Sequence, residues 1–432
     1  MRHSAIFVLL KAANTALATA WTFALTYSLV RVVGIEEYAV FTVVLAVAAL
    51  VLQADLGLSV RLFARLRSDF IGRGGTTNAA TRSAAAASFC IYLSLATLAA
   101  GVFAVATWRL GIGVAGSRPA LVLFFTAAVL VLPITILKAA LNAHDAFLLA
   151  EQVDFARRLL QLLLAVSLQL GVPLGTYAVA NLVVILLALG ALLAAVQMAG
   201  VLAGTQLGAG LRDLRADVGA IRASARLALC EFLIYAFPYG YLMLAFGSPA
   251  TVVAFDMFFK VTRFGITAYM AGVEAMLPAQ TRLYHGAAAV GLRRLVGITL
   301  LLLSVPFLAA IAAVGLYGDE IFSRLLDTAG LVSPWMRLHI CIMLAFMLVQ
   351  TASGGLLAAL GFQLPLANRA SATLGAMLLL SAGIWMVGGT FEAFISGYVL
   401  IYGCEAVSYA VLLRQVLRDR TRKGLPNLRG AS

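Results

Sequence analysis

Apolar residues run along this chain in blocks of about twenty, each long enough to cross a ~30 Å hydrocarbon layer as a helix. Short polar, glycine- or proline-bearing breaks close the blocks. The blocks are continuous rather than alternating. A membrane β-barrel would alternate apolar and polar residues over about ten positions, so the pattern predicts helices, which satisfy their own backbone groups in lipid. Length and punctuation place twelve spans at 12–33, 38–57, 84–107, 119–141, 154–172, 176–199, 225–246, 251–276, 295–316, 337–360, 369–388 and 391–413. Residues 1–10 fit the interface. Arg2 and His3 precede an apolar run, and Ala16-Leu17-Ala18 has the small-x-small spacing of a cleavage site. Lys11 and Asn14 interrupt that run, however, and it continues to Val33. The reading is an uncleaved first helix.

Composition sharpens this to a polytopic membrane protein. Of 432 residues 63% are hydrophobic and 11% charged, against about 25% charged in soluble domains. The mean hydropathy is +1.01. Cys90, Cys230, Cys341 and Cys404 lie inside apolar blocks without metal-ligand spacing and read as small core residues. The net charge of +13 would suggest nucleic acid in a soluble chain; here it reads as topology, so no nucleic-acid partner is expected. Twenty-three Lys and Arg residues fall on the side of the N-terminus and five on the other. Both termini are therefore expected in the cytoplasm of a bacterial inner-membrane protein. Lys138, Lys260 and Arg263 fall within spans.

Two stretches separated by half the chain resemble one another. Asp55-Leu-Gly-Leu-Ser-Val-Arg61 ends the second span much as Glu274-Ala-Met-Leu-Pro-Ala-Gln280 ends the eighth, and Ala140-Leu-Asn142 matches Ala359-Leu-Gly361. The expected architecture is all-α: a six-helix lobe (1–200), a cytoplasmic linker (201–224), a second six-helix lobe (225–413) and a basic tail (414–432), with the lobes around a central cavity suited to alternating access. The outer loops are short, the longest at 317–336, and no nucleophile elbow, metal cluster or phosphate-cradling loop occurs. That argues against an enzyme, including a membrane polysaccharide polymerase or ligase.

The eighth span carries the clearest chemistry. Asp256, Lys260, Arg263, Thr267, Met270 and Glu274 recur every three or four residues and share one helical face. Facing lipid, each of the three central charges would cost about 2.5–3.5 kcal/mol, so the stripe must face protein or water. Asp256 can pair with Lys260, and Arg263 offers a planar fork that suits phosphate. The competing reading is an ion-pair network that fixes helix register. Lys11, Thr15, Thr22 and Thr26 form a second stripe on the first span, with Arg31 near its outer end. The seventh span brings Glu231, Tyr235, Pro238 and Tyr239. Glu231 reads as a counter-charge to Arg263 or a protonatable coupling site, and Tyr235 as either packing or a sugar-stacking ring. His339 on the tenth span reads as structural.

After these residues a resemblance can be stated. Arg31-Val-Val-Gly34-Ile-Glu36-Glu37-Tyr38-Ala-Val-Phe41, followed by Asp55-Leu-Gly57-Leu-Ser59 and Arg61, resembles the N-terminal signature of the polysaccharide-biosynthesis flippases. These are the Wzx-type branch of the superfamily that also holds the multidrug and toxin extruders. Lys11, the stretch from Phe246-Gly247 to Arg263-Phe264, and Pro278 extend the likeness, while Ala39 and Asp256 depart from the pattern. The resemblance implies a V-shaped bundle with a cationic cavity, and a cargo of undecaprenyl-diphosphate-linked oligosaccharide flipped outward for surface polysaccharides such as O-antigen or exopolysaccharide. It implies no cofactor, coupling to a proton or sodium ion, and partners among membrane lipids, a polysaccharide polymerase and export machinery. Carried over, Lys260, Arg263, Arg31 and Arg61 match cargo-binding cations; with Lys11 and, from the seventh span, Tyr235 they make the expected cargo-binding set. The coupling or counter-charge set is Glu231, Asp256, Asp55 and Glu274. The alternative is a drug or cation antiporter of the same fold, which needs a carboxylate-dominated cavity.

Overall fold

A computed structural model describes residues 2–423 apart from 53–54, 56–57, 74, 203 and 286–288. Within its helices some side chains also lie outside the described residues, among them those of Lys11, Arg61, Glu274 and Pro278. The described residues form α-helices with no strand. In chain order they are α1 (Arg2–Leu52), α2 (Leu58–Gly72), α3 (Ala79–Leu110), α4 (Arg118–Val129), α5 (Val131–Ala143), α6 (Phe147–Ser167), α7 (Leu174–Met198), α8 (Leu207–Phe246), α9 (Pro249–His285), α10 (Ala289–Leu326), α11 (Pro334–Ala359), α12 (Gln363–Val387) and α13 (Phe391–Lys423).

Nine described helical stretches are long and apolar enough to cross a membrane. The first, Ala13–Leu52, holds two spans, because Gly34 breaks α1 at φ 78°, ψ 169°, a backbone region open mainly to glycine. Two further helices of spanning length, α6 and α9, fall outside those nine, and both have charges along their length. The twelve expected spans are thereby accounted for. The fourth is split into α4 and α5 at Leu130. Pro133 explains the break: its ring collides with the carbonyl four residues back, at Val129, and it donates no hydrogen bond.

The structure departs from the sequence reading between spans. The basic stretch after the second span is a helix, α2, with Leu62 and Leu66 buried. The ninth span runs on to Leu326, well past 316, so α10 takes up part of what reads as the longest outer loop. The segment 201–224, read as a linker, is helical from Leu207 as the first half of α8.

The chain divides into two compact units, Met1–Phe232 and Leu233–Ser432, with the boundary inside α8. In the first, α1 packs on α6 and α4, and α7 on α4 to α6. Its core is aromatic where α1, α4 and α7 meet: Phe124 contacts Phe41 edge-on at 5.2 Å and stacks on Tyr177 at 5.3 Å. In the second, α11 packs on α9, α10 and α13. Phe255, Phe258, Phe394 and Tyr398 form its aromatic core. Large apolar side chains such as Leu98, Val102, Leu301 and Val305 stand exposed on the outside, as expected of a chain whose solvent is lipid.

Candidate functional site

In the second unit the site is built on α9. Its first half is apolar and packed, from Val252 to Phe258, except for one carboxylate. Asp256 is 5% exposed, and Lys260, one turn on, is 15% exposed and 2.6 Å away through Nζ. The Tyr239 hydroxyl of α8 donates to the other Asp256 oxygen at 2.9 Å. Lys260 and the Tyr239 hydroxyl thus both compensate the buried acid, as a buried charge requires. One turn further, Arg263 is exposed. Its guanidinium carbon sits 5.9 Å from the Phe259 ring centre, and it forms no ion pair among the described residues. The three charged side chains of this half-stripe therefore do different things. Asp256 and Lys260 neutralise each other, whereas Arg263 presents an open positive charge.

Beside it, Tyr235 lies against Phe259, ring centres 5.8 Å apart. Its hydroxyl shares a 2.6 Å hydrogen bond with that of Tyr402 on α13, and Tyr402 in turn donates to Gln350 on α11. Tyr235 is both packed and part of a buried polar chain. His339 is structural: its ring lies on Trp335 at 4.0 Å and contacts the Trp335 carbonyl and the Ser396 hydroxyl.

The first unit holds a larger polar cluster that the sequence reading did not single out. Asp154 on α6 is 6% exposed and meets three cations: Arg157 at 2.5 Å, Lys138 of α5 at 2.8 Å and Arg158 at 3.4 Å. Glu151 lies 3.7 Å from Lys138 and accepts from the Asn14 amide of α1 at 2.5 Å. Arg157 also reaches Gln161 at 3.4 Å, and Gln161 donates to Asn181 of α7 at 2.9 Å. Four helices thus converge on one charged centre with three cations and two carboxylates. The signal was in the spacing. Glu151, Asp154, Arg158 and Gln161 share a face of α6, while Leu159, Leu160, Leu163 and Val166 are exposed. This helix is amphipathic inside out.

The remaining expected site residues, Glu274 apart, lie elsewhere in the first unit. Arg31 folds back onto its own helix, its guanidinium 3.5 Å from the Tyr27 ring centre and bonded to the Tyr27 carbonyl. Asp55 accepts from the Ser59 amide and hydroxyl and from Tyr92 of α3 at 2.8 Å. That geometry ties the start of α2 to α3. Glu231 is half-buried on α8 at the end of the first unit. The side chains of Lys11, Arg61 and Glu274 lie outside the described residues. The hydroxyls of Thr22 and Thr26 bond back to carbonyls of α1, and Tyr38 donates to Thr26 at 3.0 Å. The tyrosine of the signature turn thereby pins the two arms of α1 together.

Neither a protein-family model nor a curated protein sequence matches this chain. Solved structures do. The chain is similar to an inward-facing multidrug resistance MATE family transporter of the MOP superfamily (14% identity, TM-score 0.71, covering 96% of this chain and 99% of the other). It is also similar to the eukaryotic MATE transporter AtDTX14 (12%, 0.67, 98% and 99%). A third is a MOP superfamily transporter from Pyrococcus furiosus whose binding pocket is described as of reverse polarity, suggesting a different function (13%, 0.66, 96% and 95%). At these identities the likeness is one of architecture, and it spans both chains end to end: this protein has the fold of the MATE transporters of the MOP superfamily.

Proposed function

We propose that the chain is a multi-pass membrane transporter that works by alternating access, and not an enzyme. The fold supports this, since neighbours of the same architecture are described in inward-facing and outward-facing forms. Arg263 carries the reading of the cargo: a guanidinium on a membrane-length helix, exposed, with no ion pair among the described residues. A positive charge so placed costs several kcal/mol in lipid, and an anionic cargo group offsets that cost. The excess of cations in the first unit's cluster has the same sign. The cargo that suits both is an amphiphile with a phosphate-bearing head, and a polyprenyl-diphosphate-linked oligosaccharide belongs to that class. Outward movement of its negative charge is helped by an inside-negative potential, by about 2.3 kcal/mol per charge per 100 mV. An inner-membrane location, coupling to a proton or sodium ion and cooperation with polysaccharide polymerisation and export complete this reading.

A second reading has its own support. Neighbours of this fold include transporters described as multidrug resistance proteins, and drug or cation antiport fits the fold at least as well as lipid flipping does. Against it stands the local chemistry, because Asp154 and Asp256 are each committed to cations of the chain itself. The Pyrococcus neighbour is a reason to let pocket polarity weigh in the choice.

The test uses the purified protein in vesicles, with two cargoes: a fluorescent diphosphate-headed isoprenoid lipid and a cationic dye. The anionic reading expects movement of the lipid across the bilayer, its loss in Arg263→Gln, and no dye accumulation. Dye accumulation by the wild type, unaltered in Arg263→Gln, would establish the antiporter instead.

A further inference from the structure

Two helices of the first unit meet where their sequences allow unusually close approach. Gly210 of α8 lies so near α3 that an added Cβ would fall 2.1 Å from the Ser83 carbonyl oxygen and 2.9 Å from the Ala87 Cβ. The Ser83 hydroxyl accepts the Gln206 amide at 3.0 Å, which fixes the start of α8 against α3. Just beyond this contact the two helices diverge. A crevice of about 330 Å3 opens there, lined by Ala87, Cys90, Ile91 and Leu95 of α3 and by Leu207 and Leu211 of α8. It shares Ser94 and Leu98 with a second hollow of about 900 Å3 that continues along α3 past Gly101 to Val105. The path from Ala87 to Val105 covers about 27 Å at 1.5 Å per residue, so it takes in the whole of one lipid chain. Gly101 faces open space, and Thr97 hides its hydroxyl on the Leu93 carbonyl. The walls are largely apolar, with Ser94 the exception.

The mouth of this path is positive. Arg212 and Arg215 follow Leu211 directly on α8; both are exposed, and neither forms an ion pair among the described residues. Arg82 precedes Ser83 on α3; its Nη1 donates to the Gly200 carbonyl at 3.4 Å, and its buried Nε has no hydrogen-bond partner. The neighbouring acid, Asp213, is taken up by Arg65 of α2 at 2.6 Å. An apolar channel on a lipid-facing helix that opens beside uncompensated guanidiniums is complementary to one chemistry: an acyl chain joined to an anionic head.

We infer that the α3–α8 crevice is a binding site for an anionic phospholipid of the surrounding bilayer. One acyl chain lies along α3 from Ala87 to Val105, and the phosphate head group sits at Arg82, Arg212 and Arg215. The site is independent of the cargo and would exist in a transporter of either class. It fixes the first half of α8, which leads into the second unit, to the leaflet at the start of α3.

Native mass spectrometry and thermal melting of the full-length protein in detergent test this, with phosphatidylglycerol against phosphatidylcholine as added lipid. The expected result is retention of one phosphatidylglycerol in preference to phosphatidylcholine, with a higher melting temperature. Two arginines near a membrane surface correspond to about a thirtyfold preference at low salt. Arg212→Gln with Arg215→Gln should remove most of that preference; both side chains are exposed, so the protein should fold. Gly101→Phe, where an added Cβ meets nothing within 4 Å, places a ring in the channel and should reduce retention of both lipids. Equal retention of the two lipids by the wild type would overturn the assignment. So would a preference that survives the double arginine replacement, since the lipid would then be held elsewhere.

Discussion

The two units treat buried charge in opposite ways. In the first, Asp154 is a hub: three cations from two helices converge on one carboxylate, and Glu151, Asn14, Gln161 and Asn181 extend the network to four helices. In the second, Asp256 pairs with a lysine on its own helix and accepts from a tyrosine, and the next cation, Arg263, forms no ion pair among the described residues. A closed cluster that ties four helices together resists change. An ion pair within one helix constrains its neighbours less and leaves a charge free for a ligand. The first unit's cluster therefore reads as the more rigid of the two, and the second unit's charged face as the freer to change company.

The sharpest way to break this contrast is to remove each hub. Asp154→Asn leaves three buried or half-buried cations facing one another and should cost about 3–5 kcal/mol, the range for breaking a buried charge network from one side. Thermal melting with size-exclusion detection would read it as a large loss of folded protein. Asp256→Asn leaves one ammonium beside an amide that can still accept its hydrogen bond, and should cost about 2 kcal/mol. The two sites also differ in rescue. Asp256→Asn combined with Lys260→Met removes both charges and should recover much of the loss, because no charge is then left buried without its partner. No single partner replacement should rescue Asp154→Asn, since two cations would remain. Equal losses at the two acids, or full rescue of Asp154→Asn by Lys138→Met, would dissolve the distinction.

Much of this was legible in the sequence, and the gaps have physical causes. Ten of the twelve spans follow from apolar length; α6 and α9, with charges along them, needed the breaks on either side as well. The Asp256–Lys260 pair follows from i, i+4 spacing, which the structure realises at 2.6 Å. The α6 cluster was not read, because Arg157 and Arg158 lie near the start of the expected fifth span at 154 and look like topology-setting cations of a loop. Only the packing of α5, α1 and α7 around α6 turns them inward. Helix α2 was hidden for a related reason: its arginines dominate a count of loop charges, while two leucines are enough to bury one face. Asp55 shows the limit of carrying a motif over as function. In the structure its carboxylate is occupied by Ser59 and Tyr92, which is the work of a helix junction.

The finest comparison is between the uncharged ends of the two networks. In the first unit Gln161 donates to Asn181, and both side chains are almost fully buried. Asn181→Ala strands the Gln161 amide and should cost about 1–3 kcal/mol, the penalty for a buried group without a partner. In the second unit the chain runs from Tyr235 through Tyr402 to Gln350. Tyr235 is half-buried, and Tyr402 keeps its bond to Gln350 when the outer hydroxyl is gone. Tyr235→Phe should therefore cost no more than about 0.5 kcal/mol, while the ring retains its packing on Phe259. Melting curves of the two variants side by side decide the matter. If Tyr235→Phe proved as costly as Asn181→Ala, the second unit's polar chain would be as rigidly locked as the first unit's cluster. Its exposed face could not then be the adaptable half of the molecule.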